Sequence, residues 1–237
     1  MYYIMSDKFC FYHGTHIENL PFILKDKKID ISSNIEDKHN VRIDWGGVDY
    51  VYGNILFKSS KSEGSEVTCG IIISDDILND QLVIFNSYWA QTPVMLENES
   101  NNKLKEIYKM VKNTRDRLDN FSIYLYPSDT QKIRKYKLKI IKTYHDNTIN
   151  KNCSSFTSHE ILFTKPIDVN KYVKKIYLFG IDNTWKGEIY QKAMKIINKI
   201  KNKPTIENVQ FRHSKNILKK YFNKLHSSQE SQHHLSK

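Results

Sequence analysis

Apolar residues in this chain arrive in short blocks separated by polar segments, and that spacing limits its folds more than any other feature. Blocks at 9–12, 67–74, 82–85, 121–126, 137–141, 161–164 and 175–179 have the length of single strands. The segment 49–58 alternates as a half-buried strand does. No block approaches the roughly 20 residues that a membrane helix needs.

Helical periodicity falls between these blocks. Ile17, Leu20, Ile23 and Leu24 share one face after Thr15, which is placed to cap, with Glu18 three residues on. Pro21 also suits a helix start just after 16–19. A short helix is expected at 75–78 and an amphipathic one at 103–118, with Leu104, Ile107, Tyr108, Val111 and Leu118 on one side. Near the C-terminus Ile189, Ala193, Ile196, Ile197 and Ile200 form one stripe. Ile217, Leu218, Tyr221, Phe222 and Leu225 form a second, with Pro204 between the two. Strands scattered among helices without βα alternation define an α+β class. The expected division is a main domain at 1–185 with an insertion at about 95–150, a basic helical extension at 186–226 and a polar tail at 227–237.

With 39% hydrophobic and 12% aromatic residues, the chain is too apolar for a disordered protein. At 237 residues it is long enough to bury its own core. Residues 1–8 have neither the basic start nor the apolar centre of a signal peptide, so a soluble intracellular protein is expected. Cys10, Cys69 and Cys153 are widely spaced and form no CxxC pair, which argues against a disulfide framework or a zinc site and for no metal. The net charge is +11, and nine of those units lie between residues 186 and 225, where eleven basic residues face only Glu188 and Glu207. Lys192, Lys195, Lys199 and Lys203 fall at helical spacing, so they can present one basic face to nucleic-acid phosphates. A solvated helix surface reads equally well.

Three segments carry chemistry. Tyr12-His13-Gly14-Thr15 places an imidazole and backbone N–H groups where a strand gives way to a helix, although a lone motif of this kind is more often a surface turn. In Asp49-Tyr50-Val51-Tyr52-Gly53, alternation puts Tyr50 and Tyr52 on one face, able to wall a planar ligand or simply to fill a core. In Ser158-His159-Glu160-Ile161-Leu162-Phe163 a carboxylate opens an apolar strand, a costly position unless the charge is paired or used.

In this order the three segments resemble the ADP-ribosyltransferase superfamily, most closely its DarT-type enzymes that modify DNA bases. The opening matches at His13, Thr15, His16, Ile17, Asn19, Leu20, Pro21, Ile23 and Leu24. The family's second strand looks like Asp49-Tyr50-Val51 running to Phe57, and its late strand like 158–163 followed by 166–173. The resemblance implies a split antiparallel sheet core with surrounding helices, and NAD as substrate without a metal. It implies that His13 bonds the NAD ribose, that the Gly14 and Thr15 backbone lies near the nicotinamide, and that Tyr50 or Tyr52 packs on the ring. It makes Glu160 the catalytic carboxylate and Arg42 the candidate arginine, with a nucleic acid, single-stranded DNA first, as acceptor. The chain departs from the family at Tyr52-Gly53-Asn54, where Pro-Phe-Tyr is usual, and at 58–62, where Arg-Ser-Pro-Met is missing. Ser158 two residues before Glu160 also differs from the Glu or Gln of enzymes that modify protein side chains.

Two other readings keep the same residues. An RNA 2′-phosphotransferase shares the His-Gly-Thr turn but needs several phosphate-holding basic residues, and this chain has five arginines in all. A non-catalytic relative would bind nucleic acid or a partner protein through the basic region alone.

Overall fold

The computed structural model describes residues 9–31, 49–57, 69–87, 100–114, 118, 121–149, 160–179, 185–199 and 204–209. Ten strands and five α-helices are described. The strands are β1 (Phe9–Thr15), β2 (Lys28–Ile29), β3 (Val51–Phe57), β4 (Cys69–Ile73), β5 (Val83–Asn86), β6 (Ser122–Leu125), β7 (Glu160–Phe163), β8 (Ile167–Asp168), β9 (Val173–Phe179) and β10 (Thr205–Val209). The helices are α1 (Leu20–Asp26), α2 (Asn101–Asn113), α3 (Gln131–Tyr144), α4 (Val169–Tyr172) and α5 (Trp185–Ile197). Eight strands form one sheet in the order β10-β9-β4-β1-β3-β7-β5-β6, and β2 pairs with β8 separately. All pairings are antiparallel except β9 with β10, which are parallel neighbours joined through α5. The architecture is α+β.

Strand alternation sorts the sheet into two unlike faces. Phe11, Ile55, Ile71, Phe85, Ile123, Ile161 and Phe163 belong to the main core. That core also takes Leu20 and Leu24 of α1, Leu104, Ile107 and Val111 of α2, Leu138 and Ile141 of α3, and Ala193 and Ile197 of α5. The helices therefore cover this face. The opposite face holds a small separate cluster of Tyr52, Ile84, Tyr124 and Leu162, with Tyr50 and Leu82 packed against it.

Several boundaries differ from the sequence reading. β1 continues through His13-Gly14-Thr15, because each of these pairs with β4. Thr15 therefore does not cap a helix; a 3-10 turn spans Ile17–Asn19, and α1 begins at Leu20 with Pro21 in its first turn. Residues 137–141 are helical, not a strand. Thr130 caps α3 by accepting from the Ile133 N–H, and Lys137, Leu138, Ile141 and Tyr144 line its buried side. The α2 helix ends at Asn113, short of Leu118. Thr205–Val209, read as part of a wholly helical segment, is a strand on the edge of the sheet. The Tyr88-Trp89 pair, the second apolar stripe at 217–225 and the tail at 227–237 lie outside the described residues.

The α3 helix runs into a π-helical turn, His145–Ile149. His145 is buried, its ring 5.4 Å from that of Phe57 at the end of β3. Burial pushes its imidazole down to about 4; the Asp146 charge opposes this and the Lys142 charge adds to it. The unfolded chain, with histidine near 6.5, takes up this proton first. Stability is thus unaffected above about pH 6.5 and falls as pH drops toward 4, with roughly 2–3 kcal/mol lost through this group. Urea unfolding at about pH 7 and about pH 4.5 should show that loss, and His145→Leu should flatten the difference.

Candidate functional site

The three segments singled out in the sequence become neighbouring strands. β1 carries His13, β3 follows Tyr50 and carries Tyr52, and β7 opens with Glu160; these strands stand side by side in the middle of the sheet. Their register sets the geometry. Tyr12 pairs with Asn54, and Gly53 pairs with Ile161, so the next position along β3 brings Asn54 alongside Glu160. At about 4.8 Å per strand, the backbones of Tyr12 and Glu160 are about 10 Å apart, with His13 the next residue along β1.

The β1–β3 register runs from Phe9 to Tyr12. Just beyond it, the His13 side chain takes over from the backbone: its Nδ1 lies 2.7 Å from the Tyr52 carbonyl oxygen. A carbonyl can only accept, so Nδ1 carries the proton. The imidazole is thereby fixed at the point where two central strands stop pairing. Gly53 permits the close approach before that point, since a Cβ there would sit 2.7 Å from the Tyr12 carbonyl oxygen and 3.1 Å from the Phe163 ring. Gly70 serves Tyr12 similarly, because a Cβ would come within 2.5 Å of the ring that lies over it. Burial raises the Tyr12 phenol above its usual range, with the nearby Cys69 adding to the effect.

Gly14 pairs with Gly70 and Thr15 with Cys69, both on the β4 side, and the Thr15 hydroxyl accepts from Asn19 Nδ2 at 3.1 Å. Tyr50 and Tyr52 do share a face, their rings edge to face at 6.5 Å. Their roles diverge. Tyr52 is 8% exposed and packs in the Ile84–Tyr124–Leu162 cluster, whereas Tyr50 is only half-buried and is the ring able to meet a ligand. Burial, aided by the Asp49 charge, raises the Tyr50 phenol.

Glu160 is 3% exposed. It lies on the face of Tyr52, Asn54 and Tyr12 and pairs across β5 with Asn86, which in turn pairs with Ser122 of β6. One row across the sheet therefore reads Ser122, Asn86, Glu160, Asn54, Tyr12, polar throughout in a sheet that is otherwise mostly apolar. Asn86, Ser122 and Asn54 were not among the residues picked from the sequence. The local signal was a polar residue closing the apolar run Val83-Ile84-Phe85; their alignment with Glu160 is tertiary.

Arg42 and Lys203 lie outside the described residues. Lys192, Lys195 and Lys199 are exposed on or just after α5, whose Ala193 and Ile197 are buried. Among the described residues no group of three or more His, Cys, Asp or Glu side chains could hold a metal ion, and no helix is long and apolar enough to cross a membrane.

No family model and no curated protein matches this sequence. Among solved structures the chain is similar to Thermus sp. 2.9 DarT in complex with NAD+, at 14% identity and a TM-score of 0.42, covering 87% of this chain and 96% of that one. It is similar at the same identity and score to that protein in complex with ADP-ribosylated ssDNA, over 83% and 92%. The match to Thermosipho africanus DarTG in complex with ADP-ribose is at 13% identity and a TM-score of 0.39, over 83% of this chain and 49% of that one. At such scores the likeness adds no weight to a functional reading, which rests on the chain's own residues.

Proposed function

We propose that this protein is an NAD-dependent ADP-ribosyltransferase that modifies a base in nucleic acid, with single-stranded DNA as the favoured acceptor. The supporting observation is a buried carboxylate, Glu160, two strands from a histidine pinned where β1 and β3 part. Cleaving the bond between nicotinamide and ribose develops positive charge on the ribose ring. A carboxylate held in a dry cleft stabilises that charge far better than one in water. In this reading His13 holds the NAD ribose, the Gly14-Thr15 backbone lies against the nicotinamide, and Tyr50 covers the ring. Glu160 faces the anomeric carbon and can take the proton from the base that attacks it. Arg42 remains the proposed arginine of the site. Lys192, Lys195, Lys199 and Lys203 supply a basic helical surface for the phosphate backbone.

The test supplies NAD labelled in its adenosine half to the purified chain with single-stranded DNA, RNA or protein as acceptor. Label is expected on the DNA strand. Nicotinamide release with no labelled acceptor would leave an NAD glycohydrolase, and label on protein alone would overturn the nucleic-acid reading.

A further inference from the structure

Glu160 is too enclosed to be held by water alone, and an ionised carboxylate in such a place needs donors. The register places Asn86 of β5 directly opposite it, itself 1% exposed. On the far side of Asn86 lies Ser122, whose hydroxyl donates to the Asn86 amide oxygen at 3.4 Å. An amide whose oxygen is drawn toward β6 turns its NH2 group the other way, toward β7. We propose that Asn86 is a positioning residue for Glu160, its Nδ2 donating to the carboxylate and fixing which oxygen faces the cleft. The catalytic part of this inference rests on the proposed function; the contact itself does not.

Asn86 does not titrate, so its contribution is geometric, together with a bias toward the ionised carboxylate. Ser122 and Asn54, the other polar neighbours in the row, do not titrate in the working range either. The titratable groups on this face of β1 are Tyr12 and Cys10, and burial raises both, so both are neutral near neutral pH. Among the described residues, then, the donor from Asn86 is the contact whose loss should register in the titration of Glu160.

The experiment uses the full chain with glutamate labelled with 13C at the side-chain carboxyl, the Glu160 signal being assigned by its disappearance in Glu160→Gln. In Asn86→Ala the titration midpoint of Glu160 should rise by about one pH unit or more. Asn86→Asp keeps the shape and sets a second carboxyl beside the first, so the pair should titrate in two separated steps. Should the alanine variant fail to fold, the aspartate variant decides. With NAD, Asn86→Ala should lower kcat by roughly 10- to 100-fold and leave KM nearly unchanged, and Asn86→Gln should recover little because its longer arm overshoots. Unchanged Glu160 titration in the variants that fold would overturn the proposal. Wild-type protein that leaves NAD intact would sink the functional reading, while the titration still decides the contact.

Discussion

Replacing Glu160 by glutamine is expected to lower the rate of ADP-ribose transfer by at least about 1,000-fold with little change in KM for NAD, a loss of about 4 kcal/mol of transition-state stabilisation. The substitution keeps the shape of a side chain that is 3% exposed and removes only its charge. Ground-state binding has little use for that charge, because the nicotinamide–ribose bond is still intact; the developing cation needs all of it. Stability should move the other way. A buried carboxylate is costly to enclose, so the glutamine variant should unfold at the same or a higher denaturant concentration than the parent. Lost activity with unchanged or raised stability is the signature of a functional carboxylate. Lost activity together with a destabilised fold would instead make Glu160 a structural group and remove the basis of the proposed chemistry.

The second large effect is on stability. Lys137 lies on the buried side of α3, its side chain 3% exposed, and its amine meets Asp129, 9% exposed, at 3.1 Å. The same amine donates to the Tyr124 carbonyl at 2.6 Å and sits 4.9 Å from the centre of the Tyr126 ring, while Asp129 accepts from the Tyr126 N–H at 3.0 Å. The pair therefore clips the end of β6 to the helix that follows it. Lys137→Ala strands a carboxylate without its cation and a carbonyl without its donor, and should cost roughly 3–5 kcal/mol in urea unfolding. Lys137→Met combined with Asp129→Asn should recover a good part of this, because no lone charge is then enclosed. A cost below about 1 kcal/mol for the alanine variant would mean that water reaches the pair.

That lysine also shows where reading the chain goes wrong. The block Lys137-Leu138-Lys139-Ile140-Ile141 alternates well enough to read as a strand, since a lysine is taken as an outward position. In the fold Lys137 points inward to a carboxylate supplied by the preceding loop, and the period becomes helical. Thr205-Ile206-Glu207-Asn208-Val209 fails in the opposite direction. It is too polar to read as a strand, and it becomes one by lying parallel to β9 in matched register. In both cases the deciding partner is distant in sequence or outside the window that periodicity uses.

The amino-acid order alone sufficed for the α+β class, because strand-length apolar blocks without βα alternation leave little else. It also sufficed to mark His13, Tyr50, Tyr52 and Glu160 as the residues worth watching, each being a polar or aromatic group at the margin of an apolar strand. Only the tertiary structure decided that β1, β3 and β7 are adjacent, that Tyr52 is spent on packing while Tyr50 is not, and that Asn86 stands opposite the carboxylate. The reason is register. Side chains alternate with a period of two, so a slip of one residue in any of these pairings would send Glu160 or its neighbours to the other face. Register is set by backbone hydrogen bonds between segments as much as a hundred residues apart, which no local pattern records.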